Sequence, residues 1–252
     1  MNRIYATLVL FSTFCIACPA HADLKELYTS SYVCRDQEGN PRWEATAKIR
    51  HKQGDVYNII ETAKGRYFGF DGEISWVAEM DFEETEDTVR PLKMKRSFFD
   101  KHGKLIMFFE QDFSFDDNVV TCMHEDLIKN TSKKKKFKFT KDIINRLLLG
   151  VYVKKFIDEG QVSKSIQLVS PEPGFYNLEI RIVNAEEIKI NGQNVNAYKL
   201  CLDPQLGLLS FVKVFLPKAY AWHSAEPPFE WLKYEGVENS VNSPEVKIVK
   251  QE

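Results

Sequence analysis

Apolar and polar positions alternate along most of this chain in short runs, and residues that turn a backbone separate the runs. Residues 45–51 (ATAKIRH) and 56–63 (VYNIIETA) flank Lys52-Gln53-Gly54-Asp55, which predicts a hairpin of two half-buried strands. Residues 89–99 and 104–115 flank Lys101-His102-Gly103 in the same way, and Asp116-Asp117-Asn118 turns the chain into 119–124. Later, 186–190 and 194–202 surround Asn191-Gly192, the dipeptide that most strongly specifies a tight hairpin because both residues accept positive φ. Further strands are predicted over 28–34, 208–216 and 229–235, where β-branched and aromatic residues are dense.

One segment changes period. Apolar residues at 143, 144, 147, 148, 151 and 152 share one helical face, which predicts a helix over 141–156. Thr140 is its expected N-cap and Asp142 lies in its first turn, while Gly150 and the β-branched residues beyond it should fray its end. Hairpins in succession with a single helix predict a mostly β fold. The expected form is a curved antiparallel sheet, a barrel or half-barrel, because a flat open sheet leaves long unpaired edges.

The stretch AYAWHSAEPPFEWLKYEG (219–236) gathers Trp222, His223, Phe229, Trp231 and Tyr234 around Pro227-Pro228. Two prolines cannot lie inside a central strand, so the chain must turn there. Aromatic rings at such a rim either close a core or present a stacking platform to sugars and acyl chains. Those five residues are the candidate ligand-binding set, and the structural clasp is the first reading.

The N-terminus carries Arg3, an apolar run from 4 to 17 and the small-residue ending Ala20-His21-Ala22, the pattern of a cleaved secretory signal peptide over 1–22. Ile16-Ala17-Cys18 partly resembles a lipobox, but Cys15 and Pro19 fit it poorly, so a lipid anchor at Cys18 is the weaker reading. The apolar run is shorter than the roughly 20 residues of a membrane span, and none is expected elsewhere. A periplasmic location follows, with one domain over 23–238 and a polar C-terminal tail over 239–252.

Composition adds exclusions. Without Arg3 the chain has 33 basic residues against 36 acidic ones, which argues against wholesale nucleic-acid binding. Three cysteines remain after cleavage, Cys34, Cys122 and Cys201, and the sequence leaves all three pairings open. Barrel closure would make an early and a late strand neighbours, so if a bridge exists it is expected between Cys34 and Cys201. Cys122-Met123-His124 is a soft-ligand pair on one strand face without a second pair at metal-site spacing, and no metal or cofactor is expected. The acidic run EMDFEETED (79–87) lacks the turn glycine of a calcium loop. Lys133, Lys134, Lys135, Lys136 and Lys138, interleaved with Phe137 and Phe139, either protect a strand edge or meet an anionic partner.

The order of these elements carries a resemblance. The strand 28–34, the YNIIE of 57–61, Arg90-Pro91-Leu92, Phe98-Phe99-Asp100, Phe113-Ser114-Phe115-Asp116 and DIINRL at 142–147 begin it. Asn191-Gly192-Gln193, AYKL at 197–200 and WLKYE at 231–235 continue it. The succession resembles a bacterial periplasmic β-barrel family of unknown function, similar in architecture to the lipoprotein-sorting proteins LolA and LolB. That resemblance implies a curved-sheet carrier and no reaction. The expected function is non-enzymatic binding of an apolar or amphipathic ligand: a lipid, or an acylated or glycan fragment. The alternative is an envelope assembly protein that docks on a protein partner through its lysines and sheet edge. A hydrolase acting on envelope polymers is the least favoured class, because no acid–base pair stands at diagnostic spacing.

Overall fold

The computed structural model describes residues 25–140, 142–170, 173–205, 217–240 and 242–251. The first arm of the sheet is a meander of β1 (Glu26–Asp36), β2 (Pro41–Gln53), β3 (Val56–Arg66), β4 (Glu73–Glu84), β5 (Val89–Phe99), β6 (Leu105–Ser114), β7 (Val119–Asp126) and β8 (Thr131–Lys138). A short β9 (Ile143–Asn145) and the helix α1 (Leu149–Asp158) follow. The second arm contains β10 (Ser163–Val169), β11 (Phe175–Ile190), β12 (Gln193–Pro204), β13 (Ala219–Ser224), β14 (Trp231–Val237) and β15 (Glu245–Lys250).

The fifteen strands among the described residues form one sheet in the order β8-β7-β6-β5-β4-β3-β2-β1-β15-β14-β13-β12-β11-β10-β9. Every pairing is antiparallel except that of β9 with β10. The sheet is curved and not closed, a half-barrel as the alternation of the sequence predicts. Its two ends nevertheless approach each other: the Asn145 amide donates to Gln111 Oε1 on β6 (3.2 Å), and Gln111 Nε2 donates to Ser170 O just past β10 (3.2 Å). No helix among the described residues is long and apolar enough to cross a membrane.

The concave face has two sectors. In one, α1 lies between the arms: Tyr152, Val153, Phe156 and Ile157 pack with Ile59, Met80, Phe82 and Met94 from the first arm and with Ile166, Ile180, Leu200 and Ala221 from the second. In the other, at the opposite ends of the same strands, Cys34, Trp43, Trp76, Phe98, Phe109 and Ile248 form a separate aromatic-rich core. Burial of such side chains is the main favourable contribution, about 1.5–3 kcal/mol each. The outer faces of β2 to β4 carry the intervening polar residues, as in the exposed Glu44, Lys64 and Glu79.

Three expectations are corrected. The predicted helix over 141–156 is a strand followed by a helix that starts at Leu149: Ile143 and Ile144 are buried in β9, in parallel register with Gln167 and Leu168. Asn145 Oδ1 accepts from Leu148 N (3.2 Å), a side-chain-to-backbone bond that starts a turn where the apolar spacing suggested continuous helix. Thr140 is therefore not the cap of α1, whose N-cap position is Leu148, without a side-chain cap. The polar tail expected over 239–252 contains β15, whose Val246 and Ile248 are buried between β14 and β1.

The third correction concerns the disulfide. Cys34 on β1 and Cys201 on β12 stand four strands apart in the sheet. At roughly 4.8 Å per strand this is about 19 Å along the sheet, so the Cys34–Cys201 bridge is not formed. The half-barrel stays open between β8 and β9, and the late strand beside β1 is β15 rather than β12, which carries Cys201. Most of the acidic run is the end of β4: Met80 and Phe82 point into the core while Glu79 is exposed. The strand expected at 208–216 and the leader over 1–22 lie outside the described residues.

Candidate functional site: an aromatic hollow and its arginines

Alternation places a continuous row of rings on the concave face of the first arm. Trp43 meets Trp76 edge-on at 5.5 Å between centroids, Trp76 meets Tyr67 at 5.0 Å, Phe98 meets Phe109 at 5.4 Å, and Phe109 meets His124 at 4.8 Å. These are the edge-to-face and tilted geometries that ring quadrupoles prefer. Arg96 lies over Tyr67, Trp76 and Phe98, 5.2, 5.2 and 4.9 Å from their centroids, and reaches Glu61 at 3.8 Å. Glu61 also accepts from Trp76 Nε1 (2.9 Å).

Beside this row lies a buried carboxylate. Glu238, just beyond β14, has a side chain with no solvent exposure and accepts four hydrogen bonds. Arg42 gives two of them (Nε to Oε1, 3.0 Å; Nη2 to Oε2, 2.9 Å), Trp43 Nε1 gives one (2.8 Å), and the backbone N–H of Phe68 gives the last (2.8 Å). The bidentate geometry is the strong form of a charge-assisted pair. Gly65 allows it: paired with Trp43 at a φ of 142°, it has no room for a Cβ, which would stand 2.3 Å from Arg42 O.

Arg146, in the turn between β9 and α1, completes the arrangement. Its Nη1 donates to the backbone oxygen of Glu238 (2.7 Å) and reaches Tyr67 Oη at 3.5 Å. Among the described residues it has no carboxylate partner. Burial opposes its charge, yet the neighbouring Tyr67, Tyr234, Glu61 and Cys34 raise its pKa above the ordinary arginine value. Arg146 is nonetheless exposed. Arg146 is thus an accessible cation beside the aromatic row, in the hollow of the half-barrel.

Tyr176, on the concave face of the second arm, has the same character: it is 46% exposed, yet burial raises its pKa while Arg146 pulls the other way. Burial likewise pushes the Tyr234 phenol up to about 12 against the pull of Arg146. Tyr176 and Tyr234 are thus neutral phenols near one cation. Cys34 beside them is pushed up to about 12 by burial and is a thiol, not a thiolate. Such a set can bind, orient and donate hydrogen bonds; it offers no activated nucleophile.

The five aromatic-stretch residues divide. Trp222, expected at a rim, is 2% exposed on the opposite face, where its Nε1 donates to Glu186 (2.7 Å) and the ammonium groups of Lys199 and Lys233 lie 5.2 and 4.2 Å from its ring. His223 is buried on the other side of the strand with its Nδ1 at 2.9 Å from Phe229 O. Phe229 packs against the α1 core. Trp231 and Tyr234 do border the hollow: Trp231 stands edge-on to Tyr32 at 4.9 Å, and Tyr234 donates to Val237 O (2.9 Å).

Lys133, Lys134, Lys135, Lys136 and Lys138 are all exposed on β8, the edge strand. Cys122 and His124 on β7 share the concave side with Lys135 and Lys133 opposite them, and Cys122 is a buried thiol pushed up to about 11. No cluster of three potential metal ligands occurs among the described residues. A separate depression of about 520 Å³ on the outer face of β1 to β3 is lined by Arg35, Glu44, Thr46, Thr62 and Lys64 and is mixed in charge.

His223 yields a pH prediction. Burial pushes its pKa down to about 4, below the unfolded value of about 6.5. As pH falls, the unfolded chain takes up the proton first, so the stability held by neutral His223 is complete above about pH 6.5 and lost on the way down to about 4. Urea unfolding at about pH 7 and about pH 5 should show a loss of about 2 kcal/mol in the wild type that His223→Gln does not share. The same loss in both proteins would place the acid sensitivity elsewhere.

No protein-family model, curated protein or solved structure matches this chain.

Proposed function

We propose that this chain is a non-enzymatic cell-envelope protein, exported to the periplasm, that holds an amphipathic ligand such as a lipid or an acylated or glycan fragment in its half-barrel. The observation that carries this reading is the accessible Arg146 among Tyr67, Tyr176 and Tyr234 at the aromatic end of the concave face. Ligand sites combine an apolar wall with a few convergent polar groups, and this hollow has both. The resemblance to lipoprotein-sorting carriers points the same way.

Native mass spectrometry of protein purified from its own envelope tests the reading. A co-purified amphiphile that leaves on denaturation is the expected result. Ligand-free protein whose tryptophan fluorescence ignores added amphiphiles would overturn it. A docking function is favoured by one observation of its own, the exposed lysine-bearing edge of β8, since an unpaired edge accepts a strand from another chain.

A further inference from the structure

The hollow contains three arginines, and they are not equivalent. Arg42 is engaged by the Glu238 carboxylate and Arg96 lies within reach of Glu61. Arg146 sits beside both acids and pairs with neither, because each is already taken: Glu238 by Arg42, Trp43 and the Phe68 N–H, Glu61 by Trp76 and Arg96. Its recorded partners are a backbone oxygen and a phenol, both reached through Nη1. A guanidinium has five N–H donors in a planar fork, and the Nε and Nη2 side of this one has no recorded acceptor among the described residues.

Because Arg146 is exposed, these donors are open to a ligand. The Tyr176 hydroxyl, on the opposite arm, has no recorded partner among the described residues. A free planar fork of this kind suits an anion with at least two oxygens. We propose that Arg146 is the anchor for the anionic headgroup, phosphate or carboxylate, of an acylated ligand, with Tyr176 as a second donor and Tyr32 and Trp231 along the chain's path. This rests on the ligand-holding function proposed above and adds the charge of what is held. The planar fork suits phosphate and carboxylate oxygens in a way a lysine would not.

The test uses the wild-type chain first, so that it does not depend on any variant folding. Binding is followed by tryptophan fluorescence with dodecyl phosphate, laurate, monolauroylglycerol and inorganic phosphate, each below its aggregation concentration. The expected result is at least about tenfold tighter binding of dodecyl phosphate and laurate than of monolauroylglycerol, with inorganic phosphate weak alone. Arg146→Gln should abolish that preference and Arg146→Lys should restore part of it. Equal affinity for charged and neutral amphiphiles would overturn the anchor and leave the carrier standing. Inorganic phosphate binding as tightly as dodecyl phosphate would assign the hollow to a free anion and overturn the acyl part. Binding of none of the four would overturn the anchor and the carrier together.

Discussion

Glu238→Ala is expected to destabilise the protein by about 3–5 kcal/mol, since removing one member of a buried, hydrogen-bonded ion pair leaves its partners uncompensated. The Glu238 side chain is fully buried, and its loss leaves the Arg42 guanidinium, the Trp43 indole N–H and the Phe68 N–H without their acceptor. Arg42 retains 19% exposure and recovers some hydration, whereas Trp43 is 6% exposed and does not. Glu238→Gln keeps one acceptor oxygen and should cost less, about 1.5–3 kcal/mol. Urea midpoints at constant m measure both. A loss under about 1 kcal/mol for the alanine variant would mean that water replaces the carboxylate and that the pair does not hold the arms together. Against a total stability of about 5–15 kcal/mol, the expected loss is a large share.

Phe156→Ala should destabilise by about 3–5 kcal/mol for a different reason. Phe156 is 2% exposed on the helix face that touches both arms, with Met80 and Phe82 on one side and Ile180 and Leu200 on the other. Rigid strands on both sides limit collapse around the void, so the cavity term adds to the lost transfer energy. Ile128→Ala, at a residue 70% exposed, is the control and should stay within about 0.5 kcal/mol of the wild type. Denaturant unfolding reads both, and a loss near that of the control would show α1 to be a loose cover rather than the centre of the core.

The hairpins were legible because turns are local chemistry. Asn191 and Gly192 take φ of 48° and 85° and close Ile190 against Gln193, and Gly54 at 55° does the same between β2 and β3. Curvature followed from the number of strands and the single helix. The start of α1 was not legible, because Ile143 and Ile144 satisfy the helical period and a parallel strand equally well. β15 was hidden by its surroundings: Glu-Val-Lys-Ile-Val-Lys at 245–250 alternates as a strand should, but the Asn and Ser residues before it suggested a tail.

The hollow is a different kind of omission. Tyr32, Tyr67, Arg146, Tyr176 and Tyr234 come from five separate elements or turns, and no spacing along the chain brings them together. Arg146 was inside a quoted segment, DIINRL, and carried no signal there: a lone arginine in a predicted helix ordinarily faces solvent. The local signal that existed was in 219–236, and it pointed to Trp231 and Tyr234 at the border of the hollow as well as to Trp222 and His223, which are buried away from it.

The position of β15 separates the order in which the chain is made from the order in which it can assemble. Strands β1 to β8 pair neighbour to neighbour and β10 to β14 do the same, so each arm can zip as it emerges. The arms are joined only when β15 slots between β1 and β14, pairing Tyr32 with Lys250 across 218 positions of sequence. Loop-closure entropy grows only logarithmically with such a separation, so the obstacle is one of rate: long-range pairing is slow. Until that strand arrives, β1 and β14 both present open edges, and the half-made molecule is stickiest along the seam that later disappears into its middle.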